Sequence, residues 1–94
     1  MDRLDDTAIE RELTTLDAWR REDDGLVREL RFDGFREAIA FIGRVGDLAE
    51  AADHHPELHN VHSRVTVRLT THDVGGITTA DVELARAIDG AVAG

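Results

Sequence analysis

Five histidines, His54, His55, His59, His62 and His72, fall within a stretch of 19 residues, and the rest of the chain has none. Imidazole titrates near neutrality and is the commonest nitrogen ligand for metals, so such a cluster points to proton transfer or to metal binding. The core of the stretch reads Glu50-Ala51-Ala52-Asp53-His54-His55-Pro56, and its far end reads Thr70-Thr71-His72-Asp73. Zinc-enzyme signatures place histidines at i and i+4 of a helix with a glutamate between them, and no such arrangement occurs here. Adjacent histidines in extended chain project to opposite sides, which keeps the pair off a single ion. Cysteine is absent, so a metal would have to be held by imidazole and carboxylate alone. The pattern favours acid–base chemistry without a metal, carried by His54, His55 and His72, with His59 incidental.

Several elements must position these rings. Thr7-Ala8-Ile9-Glu10 has the capping-box pattern of a helix start, and Ile9, Leu13 and Leu16 then give one narrow apolar stripe. Trp19-Arg20-Arg21-Glu22 reads as a short strand, Asp23-Asp24-Gly25 as a turn, and Leu26 to Phe32 as the returning strand of a hairpin. Asp33 is placed to cap a long helix running to about Ala52. Phe35, Ile39, Ile42, Gly46 and Ala49 form its packing face, with Phe41, Val45 and Leu48 beside them.

Pro56 follows and cannot continue that helix. Residues 57 to 72 read as a second hairpin, in which Val65, Val67 and Leu69 alternate with Thr66, Arg68 and Thr70. Val74-Gly75-Gly76-Ile77 is a loop, and Thr78-Thr79-Ala80-Asp81 is a second capping box before a helix carrying Val82, Leu84, Ala85, Ile88 and Val92. By that pattern Asp81 is first a capping residue. Hairpins pair antiparallel, so the expected fold class is α+β: a four-stranded antiparallel sheet in the order α-β-β-α-β-β-α, with three helices on one face.

In this frame His54 and His55 lie just past the C-terminus of the long helix. His72 closes the last strand, with its ring at a sheet edge. Glu50 and Asp53 add negative charge at the helix's own negative end, an exposed conflict of about 0.3–1 kcal/mol each. Local conflicts of that kind are expected at functional sites.

Ninety-four residues suffice for one domain with a modest core, and 41% apolar content argues against disorder. Twenty acidic residues against eleven basic ones give a formal charge of −9, a field that repels phosphate backbones and disfavours direct nucleic-acid binding. All eleven basic residues are arginine, which together with the acidity points to a salt-adapted or GC-rich source. A stability midpoint that rises with molar KCl is the signature of the former. No apolar run approaches the roughly 18 residues of a membrane helix. The N-terminus lacks the apolar stretch of a signal peptide, so the expectation is a cytoplasmic protein.

The histidine constellation resembles the pterin-4a-carbinolamine dehydratases. Their signature is an acidic residue, three intervening positions, His-His-Pro, an aromatic, a further histidine and a later aspartate. Here it reads Glu50, His54, His55, Pro56, position 62, His72 and Asp81, at the family's spacings. The segments around Asp53-His54-His55-Pro56-Glu57 and Thr71-His72-Asp73-Val74-Gly75-Gly76-Ile77-Thr78 are similar to the family's two site loops. Trp19 and Phe35-Arg36-Glu37-Ala38 fit its N-terminal half. The likeness covers roughly residues 7 to 92, and it implies that residues 1–94 form a single such domain. Two positions depart from the pattern. His62 stands where the family has an aromatic, and Leu58 where tryptophan is common. A ring lost from the site wall weakens stacking on a flat pterin.

The resemblance implies loss of water from a 4a-hydroxytetrahydropterin to give the quinonoid dihydropterin, with no metal or redox cofactor. It gives the proton transfers to His54 and His72, and has His55 hold the substrate hydroxyl or share the acid role. Glu50 and Asp81 orient the rings or the pterin, and Asp53, Pro56 and His62 complete the substrate contacts. Which histidine is acid and which is base stays open. It also implies a homo-oligomer, dimer or tetramer. Two alternatives share the fold: a non-catalytic pterin-binding or dimerisation/coactivator module, and a dehydratase-like protein of molybdopterin metabolism.

Overall fold

The period-two run at Val65, Val67 and Leu69 forms the middle of the sheet in the structure, a computed structural model that describes residues 1–93. The elements follow in the order α1 (Asp6–Leu13), β1 (Arg20–Glu22), β2 (Gly25–Arg31), α2 (Phe35–Ala52), β3 (Glu57–Val61), β4 (Arg64–Leu69) and α3 (Thr79–Ala93). A single 3-10 turn, His72–Val74, precedes α3. The four strands are antiparallel in the spatial order β1-β2-β4-β3, and the three helices pack on one face, as the α+β reading expects.

Register explains which residues face the helices. Leu26 lies opposite Leu69, Arg28 opposite Val67 and Leu30 opposite Val65, so one parity of β2 and β4 turns toward the core. The apolar members of that set are buried together with Phe41, Val45, Leu84 and Ile88 from the helices. Arg28 faces the same way, with its Nε buried and without a hydrogen-bond partner among the described residues. Its guanidinium meets Asp89 on α3, whose carboxylate also accepts from the Trp19 indole at 2.8 Å, so one carboxylate ties the entry to β1 and the middle of β2 to the last helix.

Four local expectations are corrected. The cap of α1 is Asp5, whose side chain accepts from the Ala8 N–H at 2.8 Å, so Thr7 lies inside the helix; an aspartate two residues upstream caps as well as a threonine does. Asp33 does not cap α2: Gly34 occupies the cap position with no side-chain bond. The buried stripe of α2 is Ala38, Phe41, Val45 and Ala49, while Phe35 and Ile39 are 53% and 44% exposed. The packing face is therefore rotated from the one expected, and a second apolar strip looks outward. Finally, β4 ends at Leu69 and is an interior strand, so His72 opens the 3-10 turn instead of closing a strand at a sheet edge.

Candidate active site

The site begins where α2 stops. Asp53 takes a left-handed conformation at φ 50, which aspartate tolerates better than most residues. That reversal returns the His54 N–H to the Ala49 carbonyl at 3.1 Å. The His54 ring is thereby aimed at the start of α3, where its Nε2 lies 2.5 Å from Oδ1 of Asp81.

Asp81 is fully buried, and both of its oxygens are committed. Oδ2 accepts from the Thr71 hydroxyl at 2.8 Å and from the Thr78 backbone N–H at 2.9 Å. The Thr71 and Thr78 hydroxyls are 2.8 Å apart, and the Thr78 hydroxyl accepts from the Ala80 N–H, so the α3 cap and the site are one network. The capping reading of Asp81 is thus correct for one oxygen, and its other oxygen holds a histidine. An ionised carboxylate only accepts hydrogen bonds, so in this arrangement His54 Nε2 carries the proton and Nδ1 is the nitrogen left for other work.

The remaining candidates sit farther out. His55 is largely exposed and its Nε2 is 2.9 Å from Oε1 of the exposed Glu50. His72 is 76% exposed, with Nε2 3.9 Å from Oε2 of Glu57. Glu57 also accepts from Arg68, which donates in turn to Asp24. That guanidinium holds the Asp24 carboxyl below its ordinary value. Pro56 is half-buried at the corner between α2 and β3. His62, in contrast, lies in the two-residue turn between β3 and β4 at φ 52, at the far end of β3 from Pro56. The structure does not bring His62 to the others, because a hairpin carries its turn away from the residues that open it.

Two clefts have His54 in their walls. One, about 240 Å³, is lined by Asp53, Thr71 and Asp73 together with Met1, Val74 and two alanines. The other, about 350 Å³, runs between α2 and α3 and is lined mainly by alanine and leucine. Ala52, His54 and Ala80 belong to both. A larger groove of about 430 Å³ lies on the helix-free face of the sheet and contains His59, but none of His54, His55 and His72. Volume alone would select that groove; the buried carboxylate–imidazole pair selects the smaller clefts. Among the described residues, no three histidine, aspartate or glutamate side chains converge so as to hold a metal ion. No helix among them is long and apolar enough to cross a membrane.

Sequence reasoning missed Thr71 and Thr78 as the residues that fix Asp81. The available signal was the Thr78–Asp81 capping pair, which placed both side chains at the start of α3, beside the end of α2.

Comparison with known proteins adds the family context. The family model described as pterin 4 alpha carbinolamine dehydratase matches residues 2–91. A relative from Thermomicrobium roseum, provisionally named a pterin-4-alpha-carbinolamine dehydratase, is 50% identical over 86 residues, 92% of each chain. Another of that provisional name, from Natronomonas pharaonis, is 46% identical over 88 residues, 94% of each chain. The crystal structure of a transcriptional coactivator/pterin dehydratase from Brucella melitensis matches with a TM-score of 0.92 at 34% identity, over 96% of this chain and 98% of that one. A pterin dehydratase-like RuBisCO assembly factor of the alpha-carboxysome matches with a TM-score of 0.64 at 18% identity, over 78% and 84% of the two chains, a likeness of fold alone.

Proposed function

Because the chain belongs to the pterin-4a-carbinolamine dehydratase family, we propose that it removes water from a 4a-hydroxytetrahydropterin to give the quinonoid dihydropterin, as a step of tetrahydropterin recycling. The observation that supports this most is the buried Asp81 holding His54 in the wall of two clefts. The reaction needs a base for the N5 proton and an acid for the departing 4a-hydroxyl. As N5–H is broken, its electron pair forms the N5–C4a double bond. The C4a–O bond breaks as that double bond forms, and the hydroxyl leaves with the delivered proton as water. No electrons are exchanged with a third party, so proton transfer is the whole task.

The Asp81 contact supports His54 as the base. With Nε2–H donated to the carboxylate, His54 meets the substrate through Nδ1, whose lone pair takes the N5 proton. Asp81 also stabilises the imidazolium that results, as a carboxylate behind a histidine does in other acid–base sites. His72 and His55 are the candidates for the acid, each with a glutamate beside it. Asp53 lines the smaller cleft, where its carboxylate suits the ring N–H and amino donors of a pterin. Glu50 orients His55, and Pro56 fixes the corner that presents both.

The acid role is separable by mutation. His72→Ala and His55→Ala are expected to differ, the residue that delivers the proton losing about 10²-fold or more in kcat and the other less. If both variants dehydrate the substrate at the wild-type rate, the acid role belongs to neither.

The protein is proposed to work as a homo-oligomer. The exposed Phe35 and Ile39 on α2, and the exposed Leu58 and Val61 on the edge strand β3, are surfaces a second copy would cover. Sedimentation at micromolar concentration is expected to give a dimer or tetramer, and a monomer would refute it. The same outward strip of α2 favours one second reading, a non-catalytic module that binds pterin and a partner protein. Pterin binding without turnover is its mark.

A further inference from the structure

We infer that Met1 is a substrate-contacting residue: the chain ahead of α1 is strapped across the loop that carries His72, and it lays the Met1 side chain along one face of the bound pterin. The inference rests on the dehydratase reading for the kind of ligand. It adds to that site a wall which none of the histidine-bearing segments supplies.

The exposed apolar side chains single out this residue. Among the described residues the large ones are Met1, Phe35, Ile39, Leu58 and Val61. The last four lie on α2 and on the edge strand β3, where a second copy would cover them. Met1 is 72% exposed and lies on neither surface; it borders the cleft of about 240 Å³ that has His54 in its wall. A pterin is a flat ring system with polar edges and two faces. The Asp53 and Asp73 carboxylates suit an edge, whereas Met1 and Val74 are the apolar lining residues larger than alanine and so offer surface to a face. An unbranched side chain with a polarisable sulfur adapts readily to such a ring.

The residues after Met1 keep it at the cleft. The Leu4 N–H donates to the Ile77 carbonyl at 2.8 Å, and the Leu4 side chain packs against the core. Arg3 lies over Gly76 so closely that a Cβ there would fall 2.5 Å from Arg3 Cδ. Gly76 in turn pairs with Thr71, its carbonyl accepting from the Thr71 N–H at 2.9 Å and its N–H donating to the Thr71 carbonyl at 3.3 Å. The strap is therefore seated on the same loop that holds Thr71 against Asp81 and presents His72. The chain from Leu4 back to Met1 spans at most about 11 Å, so Met1 stays beside the cleft as long as that seat is made.

Position 1 can be varied by releasing the chain from a cleavable N-terminal fusion. Met1→Gly removes the side chain and Met1→Leu replaces it at similar volume. Neither touches the buried core, so urea midpoints are expected to match that of wild type. Calorimetry with a non-reacting 7,8-dihydropterin reads the contact without turnover. Met1→Gly is expected to bind it about three- to tenfold more weakly, as the loss of part of one apolar contact implies. Met1→Leu is expected to stay within about twofold of wild type. With a 4a-hydroxytetrahydropterin as substrate, Met1→Gly is expected to raise KM by the same factor at unchanged kcat, since the contact is equal before and during proton transfer. Wild-type affinity in Met1→Gly, equal weakness in both variants, or a wild-type protein that binds no dihydropterin overturns the inference. Failure of the wild-type protein to accelerate dehydration, with the affinity pattern intact, contradicts the dehydratase reading and leaves the Met1 assignment standing.

Discussion

Replacing His54 with alanine is expected to lower kcat for 4a-hydroxytetrahydropterin dehydration about 10²–10⁴-fold, the range over which a positioned acid or base contributes. The size follows from the arrangement behind the ring. His54 is largely buried, its Nε2 is held at Asp81, and both clefts reach it, so no other imidazole can take its place without backbone movement. Carbinolamines lose water unaided, so the uncatalysed rate is the floor to which activity falls. Truncation also strips a partner from a fully buried carboxylate, a loss of about 1–3 kcal/mol. His54→Gln, which keeps a donor on that side, should therefore accompany it, and should stay folded with comparably low kcat. Asp81→Asn tests the tautomer: an amide cannot replace the carboxylate as acceptor for all three donors, so kcat is expected to drop while circular dichroism stays native. Wild-type kcat in folded His54→Gln would show that the ring is not the base.

The second large effect is on stability. Phe41→Ala is expected to cost about 3–5 kcal/mol, the usual range for emptying a buried aromatic site. Phe41 is fully buried in the middle of α2, and its ring lies 5.0 Å from that of Phe32, at the end of the first hairpin. It thus ties the helix that ends just before His54 to the sheet beneath. A domain of this size has about 5–15 kcal/mol in total, so the variant would sit near its unfolding threshold. Urea titration should show a large fall in midpoint at nearly constant slope. A loss below about 1 kcal/mol would mean that the core collapses into the vacated space, contrary to the tight packing argued for α2.

The sheet was readable from sequence because β4 carries a clean period of two and has a buried face on only one side. The helix α2 was readable as a helix but not in its rotation. Phe35 and Ile39 are as apolar as Phe41 and Val45, and periodicity cannot tell a core stripe from a neighbouring strip that stays outside the described core. The end of β4 was placed too late because Thr70 and Thr71 suit a strand, whereas Thr71 instead turns its hydroxyl to Asp81.

For the site, Glu50, His54, His55 and Asp53 lie close together in the chain and were visible as a cluster. The pairing of His54 with Asp81 spans 27 residues, and before the fold was known only the family resemblance connected them. The position of His62 was hidden for a related reason. It lies six residues beyond Pro56, but in a hairpin turn that leaves it remote from His54. The groove between α2 and α3 had no sequence signal, since alanines on two helices announce nothing until the helices are side by side.

The central claim is that this chain dehydrates 4a-hydroxytetrahydropterins through an Asp81-held His54. Stopped-flow absorbance of a freshly generated 4a-hydroxytetrahydropterin, with wild-type protein added at catalytic amounts, tests it most directly. The account predicts formation of the quinonoid dihydropterin well above the spontaneous rate, with turnover many times the protein concentration. Decay at the spontaneous rate, from a folded protein that binds the pterin, would contradict it.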